Sequence, residues 1–280
     1  MTPATDIRLI ALDVDGTLAA RGDEVTPATR EALHRAAAAG VHVAIATGRR
    51  YRTTLRIVEV LGMAVDTVCL GGALVKDGER QTVRAHHFDP DDFGVIHDLA
   101  REHGHAIICH RDSHAQGGAD FVIDADIEWN PSTRRYVDNN EAWAGQGTGF
   151  GHQSCPDAMV IGAFGPEAEL RSWHGAIEDR HPERFAPSLV PSDDHYYLEL
   201  TPRDVSKWTG LCALAARYEI PTSAICAVGD QVNDLPMLRE AGMAVAMGNA
   251  AEVVKDTCHW VTGACDEDGI VAVVERVLGD

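Results

Sequence analysis

Residues 9–18 read Leu-Ile-Ala-Leu-Asp-Val-Asp-Gly-Thr-Leu, an apolar run of strand length that ends in two aspartates, a glycine and a threonine. Because side chains alternate along a strand, Asp13 and Asp15 can point to one side while Val14 points back into the protein. Gly16 then lets the backbone turn without the steric cost of a Cβ. Two neighbouring carboxylates repel each other, so this strand end needs a cation, a shared proton or a division of roles.

Similar apolar strands alternate with helices along much of the chain. A helix begins after Thr26-Pro27, where a capping hydroxyl precedes a proline at the first helical position, and it ends near Gly40. The further predicted elements are strands over 41–46, 67–70, 196–200 and 224–228, and helices over 51–61 and 208–218. This alternation predicts an α/β fold, in which helices cover both faces of a parallel sheet.

The middle of the chain has a different texture. Strand-like and helix-like pieces between residues 82 and 200 are interrupted by loops rich in glycine and asparagine. A chain of 280 residues is also large for a single hydrophobic core. We therefore predict a discontinuous core of residues 1–81 and 201–280, with an inserted α+β domain over residues 82–200.

Composition limits the partners and the compartment. The net charge of −19 argues against nucleic acid or an anionic membrane as a general partner, although a local cation can still make a pocket attractive to an anion. No apolar run approaches the roughly 20 residues that span a bilayer, and no signal peptide is expected at the start. The seven cysteines form no CxxC pair, so we expect free thiols and a cytoplasmic location. The sequence leaves the oligomeric state open.

Polar residues collect where the predicted strands end, and ligands in parallel sheets bind at that edge. Four clusters occur there: Asp13 with Asp15, Thr47 with Gly48, Lys207, and Asp230 with Asn233 and Asp234. Taken singly, the last three have ordinary interpretations as a strand-to-helix cap, a surface lysine, and a turn followed by a helix cap. A calcium loop at the first cluster is disfavoured, because its glycine comes fourth and an apolar strand precedes it.

Together the clusters fit the binding and transfer of a phosphoryl group. Mg²⁺ is held by one or two carboxylates plus a phosphate, and Asp13 and Asp230 can supply those carboxylates. A carboxylate can also attack phosphorus and form an acyl phosphate. The hydroxyl of Thr47 and the amide of Gly48, expected at a helix N-terminus, suit phosphate oxygens, and Lys207 adds a positive charge.

At these residues the chain resembles the phosphatases of the haloacid dehalogenase (HAD) superfamily, specifically the Cof-like branch with a type IIB cap. The matching motifs occur in family order over most of the core: residues 13–18, 46–49, 205–207, 229–238, 241–242, 245–250 and 267–269. The resemblance implies a Rossmann-like core and an inserted cap domain that selects the substrate. The family commonly has Asn-Gly where this chain has Gly71-Gly72, which affects contacts to the leaving group.

The resemblance also assigns catalytic and metal-binding roles. Asp13 corresponds to the nucleophile and a Mg²⁺ ligand. Asp15 corresponds to the general acid and later the general base, with its backbone carbonyl as a second ligand. Asp230 corresponds to the third protein ligand. Asp234 corresponds to a residue that does not bind the metal directly but helps to orient the phosphate, the metal's waters and Lys207.

The remaining motif residues correspond to groups that bind or orient the phosphate. Thr47, Gly48 and Lys207 correspond to the phosphate binders. Asn233 corresponds to a group that orients the phosphate and the metal's waters. The resemblance thus implies a Mg²⁺-dependent phosphatase that hydrolyses small phosphorylated metabolites, such as sugar phosphates, through an aspartyl-phosphate intermediate.

Two alternatives to a phosphatase stay open at this point. A phosphotransferase or phosphomutase similar to phosphomannomutase would pass the phosphoryl group to a hydroxyl instead of water. A non-catalytic regulatory homologue would keep the fold, but such proteins usually lose the nucleophile or a metal ligand, and all of these are present here.

The inserted domain contains no motif that names a substrate. His105, His110, Arg111 and His114 are candidates for contacts to a polyol or a second anion. We expect Asp124, Asp126 and Glu128 to form a solvated acidic edge. Trp129, Trp143 and Trp173 are expected in the core of the inserted domain.

Overall fold

The computed structural model describes residues 6–20, 22–114, 117–192 and 195–280. The strands are β1 (Leu9–Leu12), β2 (His42–Ala46), β3 (Asp66–Cys69), β4 (Leu74–Lys76), β5 (Thr82–Ala85), β6 (Ile108–His110), β7 (Phe121–Asp124), β8 (Ala144–Gly147), β9 (Val160–Gly165), β10 (Phe185–Ser192), β11 (His195–Pro202), β12 (Ile225–Gly229), β13 (Met243–Ala246) and β14 (Trp260–Val261). The α-helices are α1 (Pro27–Ala38), α2 (Tyr51–Leu61), α3 (Pro90–Glu102), α4 (Pro131–Asn139), α5 (Glu167–Arg180), α6 (Lys207–Arg217), α7 (Leu235–Glu240), α8 (Glu252–Lys255) and α9 (Gly269–Leu278).

The chain folds into two compact units, one of residues 1–85 and 206–280 and one of residues 86–205. Both boundaries differ from the predicted positions by a few residues. The predicted start at residue 82 is wrong because β5 pairs with β4 in the sheet of the first unit. The predicted end at residue 200 is wrong because β11, which continues to Pro202, pairs with β10 in the sheet of the second unit.

The first unit is built on one sheet with the order β14-β13-β12-β1-β2-β3-β4-β5. Neighbouring strands from β14 to β3 run parallel, and β4 and β5 are added antiparallel. Strand β1 lies at the centre and is buried on both faces, which explains its unbroken apolar sequence. Ile10 and Leu12 pack on the face covered by α1 and α9, and Leu9 and Ala11 pack on the face covered by α6 and α7.

The second unit contains a separate sheet with the order β10-β11-β9-β6-β7-β8. Its pairs are antiparallel except for β7 with β8. Helices α3 and α5 contribute Phe93 and Trp173 to one buried cluster, and α4 contributes Val137 to another, smaller cluster. This unit is therefore the α+β domain that the middle of the sequence predicts.

Within the described ranges, no helix is both long and apolar enough to cross a membrane. All seven cysteines are free thiols, as expected from their spacing.

Candidate active site

The site forms where β1 and β12 end side by side. Leu12 lies opposite Val228 in the parallel register, and the next backbone N–H, that of Asp13, donates to the Val228 carbonyl at 3.1 Å. Residues that are more than 200 positions apart thereby become neighbours. The carboxylates of Asp13, Asp230 and Asp234 each place one oxygen within 4.8 Å of the others, and all three residues are buried.

Lys207 joins this cluster from helix α6. It is the first residue of the helix, and the Ser206 hydroxyl caps the turn by accepting from the Thr209 N–H. The Lys207 ammonium donates to Asp13 Oδ1 at 2.7 Å and to Asp234 Oδ1 at 2.6 Å. The interpretation as a surface lysine is therefore wrong: the side chain is buried among carboxylates.

Asp234 holds the cluster together from its inner side. Its Oδ1 accepts from Lys207, and its Oδ2 accepts from the backbone N–H groups of Asp230 and Gln231, both at 3.0 Å. Both oxygens are thus engaged within the protein. This arrangement suits a residue that orients the lysine and the loop after β12.

Asp230 is held by two side chains that lie within the sequence motifs but had no predicted role. The Thr17 hydroxyl donates to its Oδ1 at 2.9 Å, and the Gln231 amide donates to its Oδ2 at 3.1 Å. Gly16, with φ +88°, lies so close that a Cβ there would be 2.3 Å from Asp230 Oδ2. The loop after β1 therefore packs tightly against the loop after β12.

The electrostatics of the cluster favour the uptake of positive charge. Burial raises the pKa of Asp13 to about 7, even though the Lys207 charge opposes the shift. Burial also raises the pKa of Asp230, against the hydrogen bond from Thr17. For Lys207, burial lowers the pKa, but the charges of Asp13 and Asp234 outweigh it and raise the pKa overall. Three buried carboxylates share one ammonium, which bonds to Asp13 and Asp234, so the cluster keeps an excess of negative charge that a proton or a metal ion can compensate.

Asp15 lies in different surroundings from Asp13. Its carboxylate is largely exposed, at 63%, and accepts two hydrogen bonds from the Arg49 guanidinium, at 2.9 Å from Nε and 2.6 Å from Nη2. The guanidinium also donates to Asp23 Oδ1 at 2.6 Å and to the Gly22 carbonyl at 3.1 Å. Arg49 lies in the motif at residues 46–49, which by itself assigns no partner to the side chain. Its pairing with Asp15 is a feature that the sequence analysis missed.

The predicted phosphate binders are placed by β2 and by the loop after β12. Thr47 follows β2 directly, is buried, and accepts at its hydroxyl from the Arg49 N–H at 3.1 Å. Gly48 is half-buried and Asn233 is exposed. The expectation that Thr47 and Gly48 stand at a helix N-terminus is wrong, because α2 begins only at Tyr51.

The candidate substrate contacts of the second unit are largely internal. His105 is buried with its ring centroid 5.3 Å from that of Trp173, and His110 is buried with Nε2 2.9 Å from the Tyr197 hydroxyl. Arg111 pairs with Asp157 at 2.7 Å. These three side chains contribute to packing and ion pairing within the unit.

Two further expectations for this unit are wrong in part: Asp126 and Glu128 are exposed, as expected of an acidic edge, but Asp124 and Trp143 differ from their expected surroundings. Asp124 is not a solvated acid: it is fully buried, with Oδ2 3.6 Å from His97 Nε2 and 3.7 Å from Arg101 Nη1. Trp143 is not a core residue, because 37% of it is exposed. By contrast, Trp173 is fully buried and Trp129 packs against the smaller cluster, as predicted.

A cavity of about 480 Å³ lies at the amino-terminal ends of β2 and β3, opposite the strand ends that carry the carboxylate cluster. Its lining includes His42, Asp66 and Tyr218 but none of the predicted site residues. The chemistry is therefore assigned to the carboxylate cluster and not to this cavity.

The donor set of the cluster fits a hard divalent cation. Oxygen ligands from one or two carboxylates are what Mg²⁺ takes from a protein when a phosphate supplies the rest. Asp13 and Asp230 are better suited to this than Asp234, which accepts three hydrogen bonds, one from the Lys207 ammonium and two from backbone N–H groups. Asp230 accepts only one neutral hydrogen bond at each oxygen, from Thr17 and Gln231, and so keeps more accepting positions for a cation.

The chain combines a mainly parallel sheet, an inserted domain, and aspartates and a lysine gathered at the strand ends, which are features of an α/β enzyme that acts on phosphoryl groups. The chain matches the haloacid dehalogenase-like hydrolase family over residues 10–274 and belongs to that family. The fold class and the family resemblance predicted from the motifs are thus confirmed.

Individual relatives align along nearly the whole chain. Phosphatase YwpJ of Bacillus subtilis is 28% identical, covering 97% of this chain and 100% of its own length. The 5-amino-6-(5-phospho-D-ribitylamino)uracil phosphatase YcsE of the same organism is 24% identical, covering 97% and 96%. Among solved structures, a HAD subclass IIB sugar phosphatase shares the fold with a TM-score of 0.75 at 21% identity, covering 97% and 99%.

Proposed function

We propose that this protein is a Mg²⁺-dependent phosphatase that hydrolyses small phosphorylated metabolites through an aspartyl phosphate on Asp13. The single observation that carries the proposal is the buried cluster of Asp13, Asp230, Asp234 and Lys207 at adjoining strand ends. The coarser statement, that the chain is a hydrolase of phosphoric monoesters, is supported by its family and by the phosphatase names of its relatives.

Asp13, Asp230 and the backbone carbonyl of Asp15 would hold the metal. When bound, Mg²⁺ supplies positive charge that offsets the repulsion between the Asp13 carboxylate and an incoming phosphate dianion. Lys207 contributes a second positive charge from within the protein, at 2.7 Å from Asp13.

The chain's own residues carry the bond changes. An oxygen of Asp13 attacks phosphorus, the bond from phosphorus to the leaving oxygen breaks, and Asp15 gives that oxygen a proton. In the second half, Asp15 takes a proton from a water as the water oxygen attacks phosphorus, and the bond from phosphorus to the Asp13 oxygen breaks, which releases phosphate and restores the Asp13 carboxylate. Lys207, the Thr47 hydroxyl and the Gly48 N–H bind the phosphate oxygens during both halves.

The substrate class rests on the relatives. One curated relative acts on a phosphorylated ribitylaminouracil, and the subclass IIB neighbour is a sugar phosphatase. Both names describe a phosphomonoester on a small polyhydroxylated molecule. We assign the choice among such leaving groups to the inserted domain, residues 86–205.

The test is phosphate release by the purified protein over a panel of sugar phosphates and phosphorylated polyols, with Mg²⁺ and with excess chelator. We expect Mg²⁺-dependent release that Asp13→Asn abolishes, because an amide cannot form the acyl phosphate. Asp256→Asn, which removes an exposed carboxylate just after α8, should keep full activity. Absence of release from every substrate would contradict the proposal, and a product that keeps its phosphate at a new position would indicate a phosphotransferase.

A further inference from the structure

We propose that Arg49 is a positioning residue that fixes the Asp15 carboxylate for proton transfer in both halves of the reaction. The inference rests on the proposed function, since it assigns a partner to the acid–base residue of that site. It is carried by the geometry of Arg49 and does not follow from the family motifs.

The contact between Arg49 and Asp15 is a bidentate ion pair, which fixes the orientation of the carboxylate as well as stabilising its charge. Two guanidinium nitrogens of Arg49, Nε and Nη2, donate to the two different oxygens of Asp15, at 2.9 and 2.6 Å. A guanidinium is planar, so two parallel bonds fix the plane of the carboxylate, which a lysine ammonium would not do.

Arg49 is itself held in place on several sides. Nη1 donates to Asp23 Oδ1 at 2.6 Å, and Nη2 donates to the Gly22 carbonyl at 3.1 Å. The backbone N–H of Arg49 donates to the Thr47 hydroxyl at 3.1 Å, and its carbonyl accepts from the Leu70 N–H at 3.0 Å. Arg49 thus ties the acid–base residue to the strand end that carries a predicted phosphate binder.

The pair differs from an ordinary surface salt bridge, in which both partners are mobile and solvated. Only 18% of the Arg49 side chain is exposed, against 63% of the Asp15 side chain. The Arg49 guanidinium is therefore held within the protein, whereas the Asp15 carboxylate faces solvent. The two hydrogen bonds from Arg49 use two of about four lone-pair positions on the Asp15 carboxylate. The remaining positions can still exchange a proton.

This geometry predicts a kinetic signature that depends on the leaving group. A poor leaving group, such as an alkoxide, needs a proton from Asp15 as its bond to phosphorus breaks, whereas p-nitrophenolate leaves without one. The quantity kcat/KM reports the steps up to and including departure of the leaving group. A misplaced Asp15 should therefore lower kcat/KM for an alkyl phosphate and leave kcat/KM for p-nitrophenyl phosphate nearly unchanged. Misplacement by about 1 Å can cost on the order of 100-fold in rate.

The experiment measures kcat and KM for glycerol phosphate and p-nitrophenyl phosphate, with Mg²⁺, in wild type, Arg49→Met and Arg49→Lys. For both variants we expect kcat/KM to fall roughly 10- to 100-fold for glycerol phosphate and less than threefold for p-nitrophenyl phosphate. Asp15→Asn should show the same selective loss, and adding Arg49→Met to it should cost little more, because the two residues act as a unit.

Two matched variants test the anchoring. Asp23→Asn removes the carboxylate that holds Nη1 and should give a smaller loss with the same selectivity. Arg56→Ala removes an exposed arginine whose nearest contact to Asp23 is 3.9 Å, and it should leave both substrates unaffected. Unchanged kcat/KM for p-nitrophenyl phosphate also shows that each variant is folded.

The two substrates separate failure of this inference from failure of the proposed function. If wild type is active and the Arg49 variants lose kcat/KM equally for both substrates, Arg49 acts in phosphate binding or folding, and the positioning role is wrong. If the variants match wild type on both substrates, the role is also wrong. If wild type itself hydrolyses neither substrate with Mg²⁺, the proposed function fails and this inference falls with it.

Discussion

Asp13 and Asp15 are separated by one residue, yet the protein gives them opposite surroundings. Asp13 is buried beside Lys207, and Asp15 is exposed beside Arg49. Burial raises the pKa of Asp13 to about 7, so the uncompensated anion is costly until more positive charge arrives. Asp15 needs no such compensation, because water and a guanidinium already stabilise it. The two carboxylates thus differ in burial, in the cation that they contact and in access to water.

Gly16→Ala should impair the site through a single methyl group. The new Cβ would lie 2.3 Å from Asp230 Oδ2, so Asp230 or the loop has to move. We expect at least a tenfold loss of Mg²⁺ affinity, measured by calorimetry, in line with the 10- to 100-fold cost of disturbing groups that orient metal ligands. Gly40→Ala is the control, because Gly40 has a similar φ of +86° but open space around its Cβ position. Equal loss in both variants would attribute the effect to backbone strain alone.

His105 should make the second unit sensitive to acid. Burial lowers its pKa below the ordinary value of 6.5, and contact with Glu169 opposes this only in part. A histidine that is neutral when folded contributes full stability above pH 6.5, and this contribution is lost as the pH falls toward its folded pKa. We expect the unfolding free energy of His105→Phe to depend less on pH between 7.5 and 5 than that of wild type.

Urea unfolding followed by tryptophan fluorescence measures this effect, because the ring of His105 lies against Trp173. His87→Phe, which replaces an exposed histidine of the same unit, should keep the pH dependence of wild type. Parallel pH curves for wild type and His105→Phe would contradict the assignment.

At the scale of elements, the site is a consequence of parallel strands that end at one edge. Buried strands such as β1 and β12 have continuous apolar sequences because both faces are covered, and this made them predictable. Helix α2 was predicted at its observed bounds, Tyr51–Leu61, for a related reason: its apolar residues repeat with helical spacing. The polar residues after such strands could therefore be placed at one edge before any contact was known.

The elements that escaped prediction lack those signals. Strand β8, read as a glycine loop, contains Gly145 and Gly147, and β10 contains Pro187 and Pro191, residues that disfavour strands on average. The bidentate pair of Arg49 and Asp15 depends on the path of the loop after β1. No periodic sequence pattern predicts that path. The residues that follow strands were thus predictable from the sequence, and the contacts made by loops were not.

Asp234→Asn should change the conformation of the loop after β12 and so weaken metal binding by Asp230. Asp234 accepts from two backbone N–H groups of this loop and from Lys207. An amide has only one accepting oxygen and would place an NH₂ group beside an ammonium or an N–H. We expect the increase in melting temperature on adding Mg²⁺ to shrink markedly, while Asp256→Asn responds as wild type. A full Mg²⁺ response in Asp234→Asn would show that the loop holds its shape without this carboxylate.

At the scale of the whole molecule, each unit has its own hydrophobic core. The buried clusters that include β1 and β12 draw their residues from the first unit, and those that include Trp173 and Val137 draw theirs from the second. The carboxylate cluster belongs entirely to the first unit. Stabilisation by a metal should therefore be confined to one of the two units.

Hydrogen exchange read by mass spectrometry tests this separation. A metal that binds only the folded site stabilises it by RT ln(1 + [L]/Kd), about 2.7 kcal/mol at 100 times Kd, which slows exchange through opening of the site up to about 100-fold. We expect this slowing for amides of residues 13–18 and 229–234, and little change over residues 86–205. Asp230→Asn should lose the Mg²⁺ effect, and Asp256→Asn should retain it. Equal protection of both units would mean that they open together, and the separation of their cores would then have no energetic consequence.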